Sequence, residues 1–343
     1  MSKAANAILA LSRSFYGKRL TEKDYLALLS CKSINELVSY LKSRTVYSAV
    51  FESLGSQYEA SAVEDAVQRF KFERFGSLCR YELAIGNKFY KYFIVKTEIE
   101  QILRCTLLLL GGNKGEYMMG FGEFLNSHLT IDLYAMGKAE TLEALAQSLE
   151  KTPYEKVFNK CLRGKNRSYL AFESAFDDYF EGFHKELIDK CFSGDEKKQV
   201  HDLACRIFDA AYIKKLFRII KYYKETKSVI NVSHQKMTLF SQKQQRELFN
   251  CENEEQLFKV LTESVYKNYF SNKNDLSIER LTEKGLYDFC KKNLRFSTHP
   301  GVVMYCYLFI AQNEAMNIIK ITEGIKYGVS PENIRSTLIG AFE

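Results

Sequence analysis

An all-α fold is predicted by three observations. The 343-residue chain contains only three prolines and 18 glycines, so few positions can break a helix. Its apolar residues fall at helical spacing in stretches opened by Ser, Thr or Asn caps. A helix followed by an aromatic stop recurs at about one third of the length, the mark of an internal repeat. These predict three similar helical domains: 1–120, 121–232 and 233–343.

Composition narrows the function. With 49 basic against 42 acidic residues the net charge is +7, which favours an acidic partner or a membrane surface and makes no case for nucleic acid. The nine cysteines are odd in number, scattered through apolar patterns and form no CxxC pair, as expected of reduced thiols in a cytosolic protein. Ser12, Arg13 and Lys18 interrupt the N-terminus before any signal core, and no apolar run reaches the roughly eighteen residues of a membrane span. The expectation is a soluble chain without a transmembrane segment.

In chain order, an opening helix runs through Ala10 and Arg13 and exits at Lys18, Leu20 and Thr21-Glu22 towards Tyr25. The first copy of the repeat spans Ser33 to Tyr47, with Ser33 and Glu36 placed for a capping box or a close relative of one. Thr141 to Tyr154 is the second copy, and Asn253 to Tyr266, capped by Asn253 and Gln256, the third. The three tyrosines lie 107 and 112 residues apart. Each copy leads, after 54, 58 and 51 residues, to a related helix in which Gln101, Tyr212 and Asn317 align. Between the first and second copies, Gly111-Gly112 and Gly115 to Gly122 lack the Gly-Lys-Ser/Thr ending of a phosphate-binding loop and read as a connection.

Helix 213–227 is basic and amphipathic: Lys214, Lys221 and Lys224 share one broad face, while Leu216, Phe217, Ile220 and Tyr223 form another. Three readings fit it: a solvated surface, a contact with acidic groups of a protein, or nucleic acid or lipid headgroups. The five histidines never fall four apart on a helix, so no metal site is expected. Asp177-Asp178 and Glu254-Glu255 sit in charged faces, and no acid, base or cofactor site is assigned. In the tail, Val302–Ala311 is apolar on every side, which predicts a helix enclosed by protein. Gly328 reads as its stop, and Ser330, Pro331 and Glu332 start one more helix.

That tail carries a resemblance. Asn317-Ile318, Ile321, Gly324, Gly328, Pro331-Glu332 and Ile334-Arg335 fall at a spacing that resembles the close of the C subunit of bacterial and archaeal V/A-type rotary ATPases, the relative of the eukaryotic d subunit. The opening helix is similar more diffusely. Glu323 departs from the pattern, standing where the family often carries arginine. The resemblance implies three helical domains in a pseudo-threefold funnel. It also implies a non-catalytic spacer that joins the shaft, made of the D and F subunits, to the proteolipid ring and carries torque for proton or sodium transport. Such a chain binds no cofactor, is a monomer when isolated, and sits on the cytoplasmic side, peripheral to the membrane. Lys214, Lys215 and Arg218 are the leading candidates for a partner-facing patch, with Arg104 and Lys320 at nearby repeat positions. The competing class is a helical repeat scaffold binding peptides or RNA outside any ATPase; an enzyme with a dispersed site comes third.

Overall fold

The computed structural model describes residues 3–52, 58–84, 86–112, 126–222, 236–271 and 276–342. Seventeen helices and no strand occur among them. The expected boundaries near 120 and 232 lie outside the described residues, as do Gly115, Gly120, Gly122 and the stretch from Tyr223 to Lys227. By compactness the chain forms two units: one from Met1–Asn87 and Asn268–Glu343, the other from most of the chain between Lys88 and Lys267.

The first unit is built around its longest C-terminal helix. Helices α1 (Lys3–Gly17), α2 (Glu22–Ser30), α3 (Ile34–Arg44), α4 (Ser48–Glu52) and α5 (Ala60–Ala84) come from the N-terminal part. Helices α15 (Ile278–Phe296), α16 (Pro300–Lys326) and α17 (Pro331–Thr337) close the chain. As its sequence predicts, α16 is enclosed: α1, α3, α5, α15 and α17 pack on it, and Gly301 to Leu308 are all buried. By length and composition α16 could cross a membrane, but 67% of its most apolar window is buried inside the protein. The core joins Leu28, Leu37, Leu41 and Phe51 of the N-terminal helices to Ala315, Ile318 and Ile321 of α16. Burial of that apolar surface, about 25 cal/mol per Å², is what binds the two chain ends into one body.

The second unit contains α6 (Lys91–Leu110), α7 (Leu133–Gly137), α8 (Leu142–Ser148), α9 (Glu155–Arg163), α10 (Tyr169–Cys191), α11 (Gly194–Tyr222), α12 (Gln242–Asn250) and α13 (Glu254–Thr262). The short α14 (Lys267–Phe270) follows, and from Asn268 onward it belongs to the first unit. Long helices α6, α10 and α11 pack side by side, and one apolar cluster runs from Ile99 and Ile102 through Leu145 and Tyr154 to Phe172 and Phe176. All nine cysteines are free thiols.

The helix starts follow the sequence closely. Ser33 accepts the Glu36 N–H at 3.2 Å, and Asn253 accepts the Gln256 N–H at 2.9 Å. The reciprocal contacts reach one residue further back than a capping box, since Glu36 accepts from Lys32 N and Gln256 from Glu252 N. Complete capping boxes occur instead at Thr21–Asp24 and Ser241–Gln244.

Candidate partner-facing site

Behind each repeat tyrosine the structure builds the same node. Thr45, Thr152 and Ser264 turn their hydroxyls back onto the carbonyls of Leu41, Leu149 and Leu261, at 2.6, 2.6 and 2.7 Å. The same oxygens accept the N–H of Tyr47, Tyr154 and Tyr266, at 3.2, 3.3 and 3.1 Å. A helix end is thereby satisfied and the tyrosine ring is turned into the core, where the three rings are 2%, 0% and 1% exposed.

Each phenol then donates to a carboxylate on a long helix. Tyr47 donates to Glu314 of α16 at 2.8 Å, Tyr266 to Asp209 of α11 at 2.5 Å, and Tyr154 to Glu98 of α6. The same carboxylates accept backbone N–H groups just before the first short helix of each copy: Leu20 for Glu314, Thr130 for Glu98 and Leu239 for Asp209. Thr130 and Thr238 add hydroxyl donors. One carboxylate thus ties a long helix to two points of a short-helix hairpin. Burial pushes Asp209 up to about 6 against the opposing pull of these donors, and it also raises Glu314. Tyr47 and Tyr154 are pushed above their ordinary range, first by burial and then by the adjoining carboxylate, and therefore remain donors.

Sequence reading found the tyrosines and missed their acceptors. The signal was present: Glu98, Asp209 and Glu314 each precede the aligned residues Gln101, Tyr212 and Asn317 by three. An acidic residue repeated at one place in mostly apolar helices is a candidate for a buried, fully bonded group.

The tail signature is structural in this chain. The φ of +66° at Gly328 ends α16 with Val329 N–H on Gly324 O at 2.8 Å and Gly328 N–H on Ile325 O at 3.3 Å. Asn317 holds the C-terminus from both sides, donating to Ile339 O at 2.8 Å and accepting Ile339 N–H at 3.2 Å. Gly324 leaves space for Ile334, whose Cδ1 lies 2.4 Å from where a β-carbon would sit. In the opening helix, Arg13 donates to Leu294 O at 3.0 Å and Ser297 O at 2.6 Å, capping the end of α15.

The five basic candidates are divided between the two units. Lys214, Lys215 and Arg218 lie on α11 and Arg104 on α6, all in the second unit, whereas Lys320 belongs to the first. Lys215 is 23% exposed and engaged internally: its Nζ reaches Glu173 at 3.3 Å, Asp177 at 3.2 Å and the Ser174 hydroxyl at 3.2 Å, fastening α11 to α10. Lys320 donates to Thr337 O at 3.0 Å, at the C-terminal end of α17 where a cation is favoured. Lys214 is half-buried, while Arg218 and Arg104 are exposed. Lys221, also exposed, points its ammonium towards the Phe217 ring and lies 3.8 Å from Glu254 of α13.

Among the described residues, no group of three or more His, Cys, Asp or Glu side chains is arranged to hold a metal ion. No curated protein matches the chain. The model of the ATP synthase (C/AC39) subunit family, by contrast, matches residues 8–337, and with nearly its whole length so covered the chain belongs to that family.

Proposed function

We propose that this protein is the central-stalk rotor component of a V/A-type ATPase, linking the shaft formed by the D and F subunits to the proteolipid ring. It catalyses nothing itself and carries torque between ATP turnover in the catalytic head and ion movement at the ring. The observation that carries this reading is the family match across residues 8–337. The packing supports it: helix interiors at crystal-like density deform little, and hydrogen bonds to buried side chains such as Glu98, Asp209 and Glu314 resist sliding of one helix past another. Its place is peripheral to the membrane, on the cytoplasmic face, held there through the ring.

On this reading Lys214 and Arg218 form the accessible part of a partner-facing patch, and Lys215 supports it by holding α11 against α10. The test is affinity capture from detergent-solubilised native membranes followed by mass spectrometry. Wild-type protein is expected to bring down the proteolipid and shaft proteins. Recovery of nucleic acid that salt removes steeply, without ATPase components, would reject the rotor assignment. Lys214→Glu combined with Arg218→Glu is expected to cut recovery of the partners while the isolated chain keeps its helicity. Undiminished recovery would remove the patch from the interface. Lys215 is left unaltered because reversing it would set like charges against Glu173 and Asp177.

A further inference from the structure

A second cluster of cations lies in the first unit, in a cleft outside the patch on α11. A space of about 370 Å³, part of it open solvent, lies between the end of α1, the middle of α5 and the middle of α16. Arg19, Lys71 and Arg74 line it, and Glu314 is the one acidic side chain among the described residues of the lining. Both oxygens of Glu314 serve the node, one accepting from Tyr47 and the other from Leu20 N–H.

The cations are held in place. The Arg74 guanidinium lies between two rings, 4.6 Å from the centroid of Phe15 and 4.3 Å from that of Phe70, and donates to Phe15 O at 3.2 Å. The guanidinium also hydrogen-bonds the Tyr307 side chain, and a planar fork held in this way matches the two oxygens of a carboxylate. Arg19 lies over the Tyr16 ring at 4.1 Å and is tied to Tyr16 O at 3.1 Å. Lys71 is only 7% exposed and donates to the neutral amide of Gln312 at 2.5 Å. Among its described residues the lining therefore carries more basic side chains than acidic ones, in a setting where partial desolvation strengthens attraction to an anion.

We propose that this cleft receives an acidic side chain from a partner protein, its carboxylate seated on the Arg74 fork with Arg19 and Lys71 alongside. The rest of the wall favours a side chain over a free inorganic anion. Phe15, Phe70, Ile310 and Ala311 offer apolar surface to a methylene stem, whereas a phosphate would press charged oxygens against them. The inference rests on the rotor reading only for the partner's identity as a member of the same assembly.

The test compares capture by the full-length wild type, Arg19→Glu and Lys18→Glu from the same solubilised membranes. Lys18 is the exposed neighbour of Arg19 and does not line the cleft. Arg19→Glu is expected to recover at most about a tenth of at least one protein that the wild type captures, with Lys18→Glu unchanged. Arg19→Gln, which removes the charge without adding repulsion, is expected to lose several-fold and serves if Arg19→Glu unfolds. Equal capture by wild type and Arg19→Gln would overturn the cleft proposal and leave the rotor reading standing. Wild-type capture of proteins foreign to the ATPase, still lost in Arg19→Glu, would sink the rotor reading and keep the cleft. Capture of no protein by the wild type would overturn both. Micromolar binding of inorganic phosphate by the isolated chain, abolished in Arg19→Gln, would replace the side-chain ligand with a free anion.

Discussion

His184 is fully enclosed, ringed by Phe89, Tyr92, Phe180 and Phe208 at centroid distances of 5.1 to 5.7 Å. Burial, with Lys96 and His201 adding repulsion, lowers its pKa from 6.5 to about 3. The folded state therefore keeps it neutral where the unfolded chain takes up a proton, so its contribution is intact above pH 6.5 and lost as pH falls towards 3. Asp209 works in the opposite sense. Its pKa, raised from 3.8 to about 6, gives a contribution that is full below 3.8 and lost as pH rises to about 6. Two substitutions separate them. For His184→Leu, urea midpoints at pH 7.5 and 5 are expected to show an acid loss smaller than wild type by about 2 kcal/mol. Asp209→Asn keeps an acceptor for Tyr266 and Leu239 N–H, and its amide can donate to Thr238; it is expected to remove a fall in stability of about 3 kcal/mol between pH 4 and 7. Asp209→Ala strands those donors and is expected to cost about 2–4 kcal/mol at pH 7, and more at pH 4, where the wild type regains its pH-dependent contribution. An unchanged pH profile in either of the first two variants would contradict the corresponding burial argument.

Among the elements, α17 shows most plainly how a spacing in the sequence becomes a contact. Pro331 starts it, Ser330 caps it through Asn333 N–H, and its one buried residue, Ile334, packs on the bare backbone of Gly324. A seven-residue helix is too short to hold itself, so this contact and the Asn317 clasp on Ile339 keep it folded. Gly324→Ala would put a methyl group where Ile334 Cδ1 and Cγ1 lie, and is expected to cost about 1–3 kcal/mol as α17 is displaced. In an Ile334→Ala background the space is already empty, and the same glycine change should cost far less. A double-mutant cycle on urea midpoints is expected to give a coupling of about 1 kcal/mol or more. Strict additivity would show that Gly324 acts through something other than its contact with Ile334.

For the whole molecule, the helical class, the capped starts and the enclosed α16 were legible because they depend on local chemistry: scarce proline, Ser or Asn caps, and an apolar run with no polar side. The pairing of elements was not. Reading along the chain joins Tyr47 to the helix of Gln101, 54 residues later, yet Tyr47 bonds to Glu314, 267 residues away. Tyr154 and Tyr266 likewise reach back to Glu98 and Asp209, over 56 and 57 residues. Apolar periodicity says which face is buried and not which helix covers it, so three equivalent helices left the pairing open. The cleft beside Glu314 was hidden for the same reason, since Arg19, Arg74 and Glu314 meet only through that pairing. We read the nodes as three copies of one module: a long helix with its carboxylate, then a short-helix hairpin ending in tyrosine. The cycle is cut so that the last long helix completes the first hairpin. This makes the C-terminal segment essential to a part of the chain it follows by some 250 residues. Removal of residues 300–343 would take away Glu314 and the α16 face that covers Leu37, Leu41 and Phe51, while both nodes of the second unit keep their partners. Hydrogen exchange on that truncated chain is expected to show protection lost across 3–84 and retained in α6, α10 and α11. Persistent protection of α2 and α3 would mean that the N-terminal hairpin folds without the C-terminal helix, and the permuted module would have to be abandoned.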